Sequence, residues 1–306
     1  MYLKGRRWLS VFVLFFTFSL VPPLARSEVP LPIEGKGAVS ENSGAFTYSI
    51  PIEVPPGRNG LAPQLALSYN SSGGNGFLGV GWDLPIGYVM RSTKDGVNYY
   101  CVSSATNSCF VFMLGGTSSE LIPRTDWCSD CYGAKIEGGF IQFRFINNTY
   151  WQAIDKAGVK HIFGETSASR FGAGVNTFRW GLDKTIDTHG NTVAYTYFQG
   201  FYIDKIDYQT NHIVFKRDNS RTDKPSLFGL GPGVTIAYRL SEIEVYTNWN
   251  GTTGALYKKL ALGYCGTTGV TCLASSTGNS VLGKVTQYGS DGVTTLPAIT
   301  LTQQNV

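Results

Sequence analysis

Pro56–Leu84, PGRNGLAPQLALSYNSSGGNGFLGVGWDL, decides how the rest of this chain is read. The stretch holds seven glycines, yet Leu65-Ala66-Leu67-Ser68-Tyr69 alternates as a half-buried strand does. Glycine accepts positive φ and lets backbones approach closely, so glycines on both sides of a strand mark a tightly folded β corner rather than a linker. Gly57, Gly60, Gly74, Gly76, Gly79 and Gly81 are therefore expected to be structural, together with Tyr69, and Trp82 to pack against the glycine-flattened backbone. A phosphate-cradling reading fails: the segment has no GxxxxGK[ST] lysine, and Trp82-Asp83-Leu84-Pro85 is a poor start for the helix that GxGxxG requires. The corner reads as a hinge where a strand turns back and Trp82 closes over it. Gly76, Gly79 and Gly81 should tolerate substitution badly.

Working outward, the same texture recurs. The 37 glycines, 18 phenylalanines and 17 tyrosines, with only 15% charged residues, point to many strands joined by tight turns. Ala45–Ile52, Gln64–Tyr69, Phe110–Leu114, Phe140–Phe145, Thr192–Phe198, His212–Lys216, Val234–Leu240 and Glu242–Tyr246 read as strands, and Leu256–Leu262 fits helix or strand equally. Asp95-Gly96, Lys156-Ala157-Gly158, Thr188-His189-Gly190-Asn191 and Asp291-Gly292 supply turn chemistry between them. Trp151–Val159 and Leu182–Val193 look like two versions of one hairpin, which singles out Trp151 and Gly190 as structural. The fold class is all-β: a large, multi-stranded antiparallel domain with many hairpins, shell-like, built as one unit or two stacked β subdomains. A soft boundary falls in the Ser/Gly/Ala-rich stretch near 165–174.

Residues 1–27 stand apart. Lys4, Arg6 and Arg7 precede an apolar run from Trp8 to Leu20 and a small-residue site at Ala25-Arg26-Ser27, the layout of a cleavable secretory signal peptide. The run is shorter than the roughly 20 residues a membrane-spanning helix needs, so no stable span is expected after cleavage. The leader holds four basic residues and no acidic ones; without it, the formal charge of 28–306 is zero. Nothing there argues for nucleic-acid binding. The expected location is secreted or extracellular, with periplasm and cell surface included.

In that oxidising setting the six cysteines fall into three close pairs. Cys101/Cys109 and Cys265/Cys272 are expected to be local disulfides. Cys128-Ser129-Asp130-Cys131 leaves three readings open: a structural bridge, a redox pair, or half of a metal site. No catalytic residue, cofactor site or metal site is expected elsewhere. His161, His189 and His212 form no HExxH or other ligand spacing, and GxSxG is absent.

Several ordered segments resemble one family. They are Gly35–Ala38, Gly44–Ile52, Pro56–Gly60, Pro63–Asn70, Gly73–Gly76 with Gly79–Trp82, Trp151–Gly158, Asp187–Asn191, Tyr195–Tyr197, Ile206–Tyr208, and Val285–Gly289 with Leu296-Pro297. Together they resemble the N-terminal domain of the Salmonella virulence plasmid 65 kDa B protein family, also found in insecticidal toxin complex B components and in Rhs (tyrosine–aspartate repeat) proteins. The resemblance implies a non-catalytic scaffold at 28–306, part of a β-rich shell that encloses or presents a toxic effector encoded elsewhere. Implied partners are downstream repeat, propeller and toxin regions of the same polypeptide or operon, and a translocating toxin subunit. The cysteines are not part of the family pattern. A second reading is a cell-surface adhesin or carbohydrate-binding module, with Trp127 and Trp249 as aromatic platforms.

Overall fold

The computed structural model describes residues 34–302, apart from 42, 95, 102–107, 228–233, 271 and 273–277. The leader lies outside the described residues. The chain begins with a front sheet in which β1 (Lys36–Val39), β2 (Phe46–Ile52) and β3 (Leu65–Asn70) are antiparallel neighbours. A small hairpin, β4 (Asn75–Gly76) with β5 (Gly79–Val80), interrupts the path before β6 (Trp82–Asp83) returns to pair with β3.

β7 (Tyr88–Arg91), β8 (Phe110–Leu114), β9 (Thr117–Pro123), β10 (Cys131–Ala134), β11 (Gln142–Ile146), β12 (Tyr150–Ile154) and β13 (Lys160–Phe163) then follow as successive antiparallel neighbours. After β14 (Arg170–Phe171), the long β15 (Arg179–Ile186) pairs with both β13 and β7 and closes an eight-stranded barrel. β15 is also where the sheet divides. Its first half pairs with β7, while its second half pairs with β16 (Thr192–Phe198), which leaves the barrel. Gly181 sits at the fork, where a Cβ would stand 2.8 Å from the Tyr197 ring, and the Tyr197 hydroxyl donates to the Leu182 carbonyl.

Beyond β16 the sheet continues through β17 (Tyr202–Tyr208) and β18 (Asn211–Asp218). It then passes the short ribbon β19 (Ser226–Leu227) and β20 (Val234–Thr235) to β21 (Arg239–Thr247), β22 (Ala255–Tyr264), β23 (Leu282–Tyr288) and β24 (Ile299–Thr300). Residues 32–306 make one compact unit. The stretch 165–174 links two strands that pair with each other. Its first residues are pinned by the buried Asp183 carboxylate, which accepts hydrogen bonds from the Thr166 and Ser169 hydroxyls and from two backbone amides. Burial pushes the Asp183 carboxyl up, and these donors oppose the rise.

Three strand expectations shift. Phe140 has φ +52°, so β11 begins two residues later; Val234–Leu240 divides at Ile236–Tyr238; and Leu256–Leu262 is strand.

The barrel interior is packed. Phe112, Phe143, Trp151, Phe163 and Trp180 are almost wholly buried, and Phe145 stacks on Trp151 at 4.5 Å with Phe110 at 4.9 Å from the same ring. An eight-stranded barrel is just wide enough to be filled by side chains, and these aromatics pack its interior.

Consecutive antiparallel strands place successive connections at opposite ends of the sheet. One end, the turn end, carries 115–116, 135–141, 155–159, 187–191, 209–210, 248–254 and 289–298. The other, the loop end, carries 92–109, 124–130, 147–149, 164–178, 199–201, 219–238 and 265–281.

Candidate functional site

The glycine corner hangs from β3. Asn70 shapes its start: its side chain accepts from the Ser72 amide, its carbonyl accepts from Gly73, and its own amide donates to Gly81. Gly79 and Gly81 have φ +85° and +76°. A Cβ on Gly79 would lie 2.4 Å from the Ser280 carbonyl oxygen, and one on Gly81 would lie 2.5 Å from the Tyr69 ring. Both positions therefore require glycine, for conformation and for space. Gly57 is confined too, since its Cβ would fall 2.0 Å from the Leu61 carbonyl oxygen. Gly60 and Gly190 have positive φ with open space around them. Gly74 and Gly76 are different: neither has positive φ, and nothing lies closer than 3.9 Å to an added Cβ. For Gly76 this departs from the expected intolerance, because its contribution is a carbonyl rather than a missing side chain.

That carbonyl belongs to a clamp which the sequence reading did not identify. Buried Arg221 donates to the carbonyls of Gly76 (2.9 Å) and Tyr238 (3.2 Å) and to the Asn75 side chain (2.9 Å). It also forms a bidentate pair with Asp223, both bonds at 2.9 Å. Asp223 accepts further bonds from Asn75 (2.7 Å) and from the amide and hydroxyl of Ser280 (2.7 and 2.8 Å). Burial alone would push the Asp223 carboxyl up, but the bonds from Arg221, Asn75 and Ser280 outweigh it and hold it well below the usual carboxylate range. Two backbone bonds, Val80 to Ser280 and Leu240 to Phe77, complete the docking. The corner is therefore stapled into the loop end, where it was expected to act as a hinge. The available signal was the polar, charge-bearing run Asp218–Lys224 between two apolar strands.

Beside the corner lies a groove of about 630 Å³, lined in part by Lys36, Ser49, Ser68, Asp83, Phe77 and Phe201. Asp83 is open to water but ringed by protein atoms. This crowding pushes its carboxyl up, against the pull of the Leu84 amide and the charge of Arg179. Trp82 is buried at the groove's edge, and its indole N–H has no hydrogen-bond partner among the described residues. The Trp151 indole N–H is likewise unpaired, whereas Trp180 donates to Thr149.

The remaining candidates disperse. His161 faces Thr185 and Asp155, with burial lowering its pKa against the opposing carboxylate. His189 lies in an exposed turn, and His212 bonds Asp207 and stacks on Trp249 at 4.1 Å. Trp127, 38% exposed, carries the Arg124 guanidinium over its ring at 4.0 Å. Neither Trp127 nor Trp249 is a bare platform.

Three disulfides are formed: Cys101–Cys109, Cys128–Cys131 and Cys265–Cys272, with Cα separations of 5.7, 5.1 and 5.6 Å. All three sit at the loop end. The one trio at metal-ligand spacing among the described residues is Cys128, Asp130 and Cys131, and its sulfurs are joined to each other. The described residues include no helix long and apolar enough to cross a membrane.

Comparison with known proteins agrees with this architecture. The mono(ADP-ribosyl)transferase SpvB of Salmonella choleraesuis is 28% identical over 209 residues, covering 59% of this chain and 34% of that protein. The Salmonella typhimurium protein of the same name is 26% identical over the same length. This chain thus spans about a third of the length of these curated relatives. Among solved structures, TcdB2-TccC3 superposes with a TM-score of 0.67 at 18% identity, covering 91% of this chain and 17% of that one. The N-terminal domain of the effector SpvB from Salmonella typhimurium LT2 gives 0.57 at 18% identity, covering 78% of this chain and 98% of that one. The family description "Salmonella virulence plasmid 65kDa B protein" matches residues 40–225, more than half of the sequence, and the chain belongs to that family.

Proposed function

We propose that residues 28–306 form a non-catalytic structural domain of a secreted toxin or Rhs-like protein, one wall of a β-rich shell that encloses or presents an effector region encoded elsewhere. The observation that carries this reading is the likeness to TcdB2-TccC3, which takes in nearly all of this chain but only 17% of the other. A unit of that share is one part of a longer chain, as a wall of such a shell would be. The filled barrel supports the same view, since a domain whose interior is solid aromatic packing contributes surface and rigidity rather than a conduit. The polar groups that elsewhere would be read as chemistry are spent on structure. Asp183 holds a loop, Asp223 holds the corner, and His212 is held between Asp207 and Trp249.

The partners under this reading are the repeat, propeller and effector regions of the same polypeptide or operon, together with a translocating toxin subunit. Deleting residues 34–302 from the full-length polypeptide should leave the effector region open to added protease. Equal protection with and without the domain would overturn the reading. Export by a cleaved leader is part of the same proposal: N-terminal sequencing of secreted protein should begin close to Ser27, and secreted material retaining Trp8 would refute it.

A further inference from the structure

Cys128-Ser129-Asp130-Cys131 carries more than a bridge requires, and the bridge is not what holds its loop. The Arg124 amide donates to the Cys131 carbonyl (2.8 Å), and the Arg124 carbonyl accepts from the amides of Trp127 (2.9 Å) and Cys128 (3.3 Å). Cys131 donates back to the Cys128 carbonyl (3.3 Å), and Phe145 of β11 donates to the Asp130 carbonyl (3.2 Å). Joining cysteines three residues apart removes little freedom from the unfolded chain. The backbone bonds should therefore keep the 124–131 connection in shape with the sulfurs parted.

Asp130 stands where a bridged sulfur has no use for it. Its Oδ1 lies 3.0 Å from the Cys128 sulfur, yet a disulfide sulfur has no hydrogen to donate. The carboxylate is held there from behind: Arg144 donates to its two oxygens at 3.2 and 3.1 Å. A metal-binding carboxylate is oriented in the same manner, by a hydrogen-bonding partner on its far side. The two sulfurs and an Asp130 oxygen all lie within 4.8 Å of one another. With bonds of about 2.3 Å to sulfur and 2.1 Å to oxygen, ligands on a tetrahedral zinc stand roughly 3.6–3.8 Å apart, so side-chain rotation suffices to bring them there.

We propose that the reduced form of this loop binds a thiolate-preferring divalent cation, zinc above all, through Cys128, Cys131 and Asp130. Two small thiols open the bridge. The first, as thiolate, attacks the half-buried Cys128 sulfur and expels Cys131, which takes up a proton; the second displaces Cys128 from the mixed disulfide. The products are one external disulfide and two cysteine thiols. Cys131, 1% exposed, is shielded from direct attack. Zn2+ then replaces the two thiol protons, Asp130 supplies the third ligand and water the fourth. Calcium and magnesium, which take oxygen ligands, are selected against. This site is independent of the shell reading and can fail without it.

The test uses the full chain, reduced with excess glutathione, freed of it by gel filtration under argon, and titrated with Co2+ and then Zn2+. Alkylation mapping should find free thiols at Cys128 and Cys131 with far-UV circular dichroism unchanged. The reduced chain should take up one Co2+ with thiolate-to-cobalt charge-transfer absorption, Zn2+ should displace it, and the oxidised chain should take up none. Asp130→Asn should weaken binding by about tenfold. The Cys128→Ser, Cys131→Ser double variant should abolish it; if that variant fails to fold, Asp130→Asn, which leaves both sulfurs in place, decides alone. A bridge that stays closed in excess glutathione overturns the proposal, as does a chain with both thiols free that takes up no Co2+. Uptake that persists in the double variant places the metal at another cysteine pair and overturns it too. So does an affinity unchanged in Asp130→Asn, or loss of the fold when this bridge alone is opened.

Discussion

At the turn end, most connections are folded from within; at the loop end, the glycine corner is held by residues far away in sequence. Asp155 and Asp187 build the same turn twice. Each carboxylate accepts from the amides two and four residues on, with a glycine of positive φ between them at Gly158 and Gly190. Asn250 and Asp291 repeat the device in part, each accepting from amides two and three residues on. The loop end has local turns of this kind too, at Asp218 and Asn98, but adds longer-range devices. Three disulfides pin it locally, joining cysteines 8, 3 and 7 residues apart, and the glycine corner is fixed by Arg221 and Asp223 from about 145 residues away and by Ser280 beyond them. A short turn can satisfy its own backbone, whereas long connections must borrow partners. The strongest way to break this comparison is Arg221→Ala. It leaves Asp223 buried without its cation and should cost about 3–5 kcal/mol in chemical denaturation. A loss below about 1 kcal/mol would mean that the disulfides and aromatic packing hold the loop end without the clamp.

The glycines sharpen the contrast. Gly81 and Gly190 have nearly the same φ, +76° and +83°, but only Gly81 is crowded. Gly81→Ala should therefore cost about 2–3 kcal/mol, combining backbone strain with a clash against Tyr69 and the Asn70 carbonyl. Gly190→Ala meets nothing within 4 Å and should cost only the left-handed conformation, about 1–2 kcal/mol. Equal melting-temperature shifts for the two would show that conformation alone matters at both ends.

The same contrast explains what could be read before any coordinates. Alternation placed Phe46–Ile52, Leu65–Asn70 and Thr192–Phe198 within a residue or so, because a half-buried strand writes its period into adjacent positions. The twin hairpins were visible because Asp-x-x-Gly turns are local chemistry. Barrel closure was not. Pairing of β15 with β13 and β7 depends on contacts across many residues, and nothing in Arg179–Ile186 alone announces a fork. The clamp escaped for the same reason. Arg221, Asp223 and Ser280 lie in polar segments that look solvent-exposed until the corner arrives to bury them.

The smallest effect concerns acid. Asp223 has its folded pKa held well below the ordinary value of 3.8, so the unfolded chain takes up its proton first as pH falls. Its contribution to stability is complete above that value and is lost progressively as pH drops below it toward the folded pKa. By linkage, the loss between about pH 6 and pH 3 should be ~1 kcal/mol for this group. Asp223→Asn removes that titration, so its stability penalty relative to wild type should shrink by about this amount over the same interval. Among the described residues, no carboxylate at the turn end is both buried and charge-paired in this way; Asp187 and Asp291 are lowered mainly by hydrogen bonds from neighbouring residues of their own turns. An acid dependence that survives unchanged in Asp223→Asn would assign it to the other lowered carboxylates, Asp218 and Glu244 among them, and would remove the clamp as the feature distinguishing one end from the other.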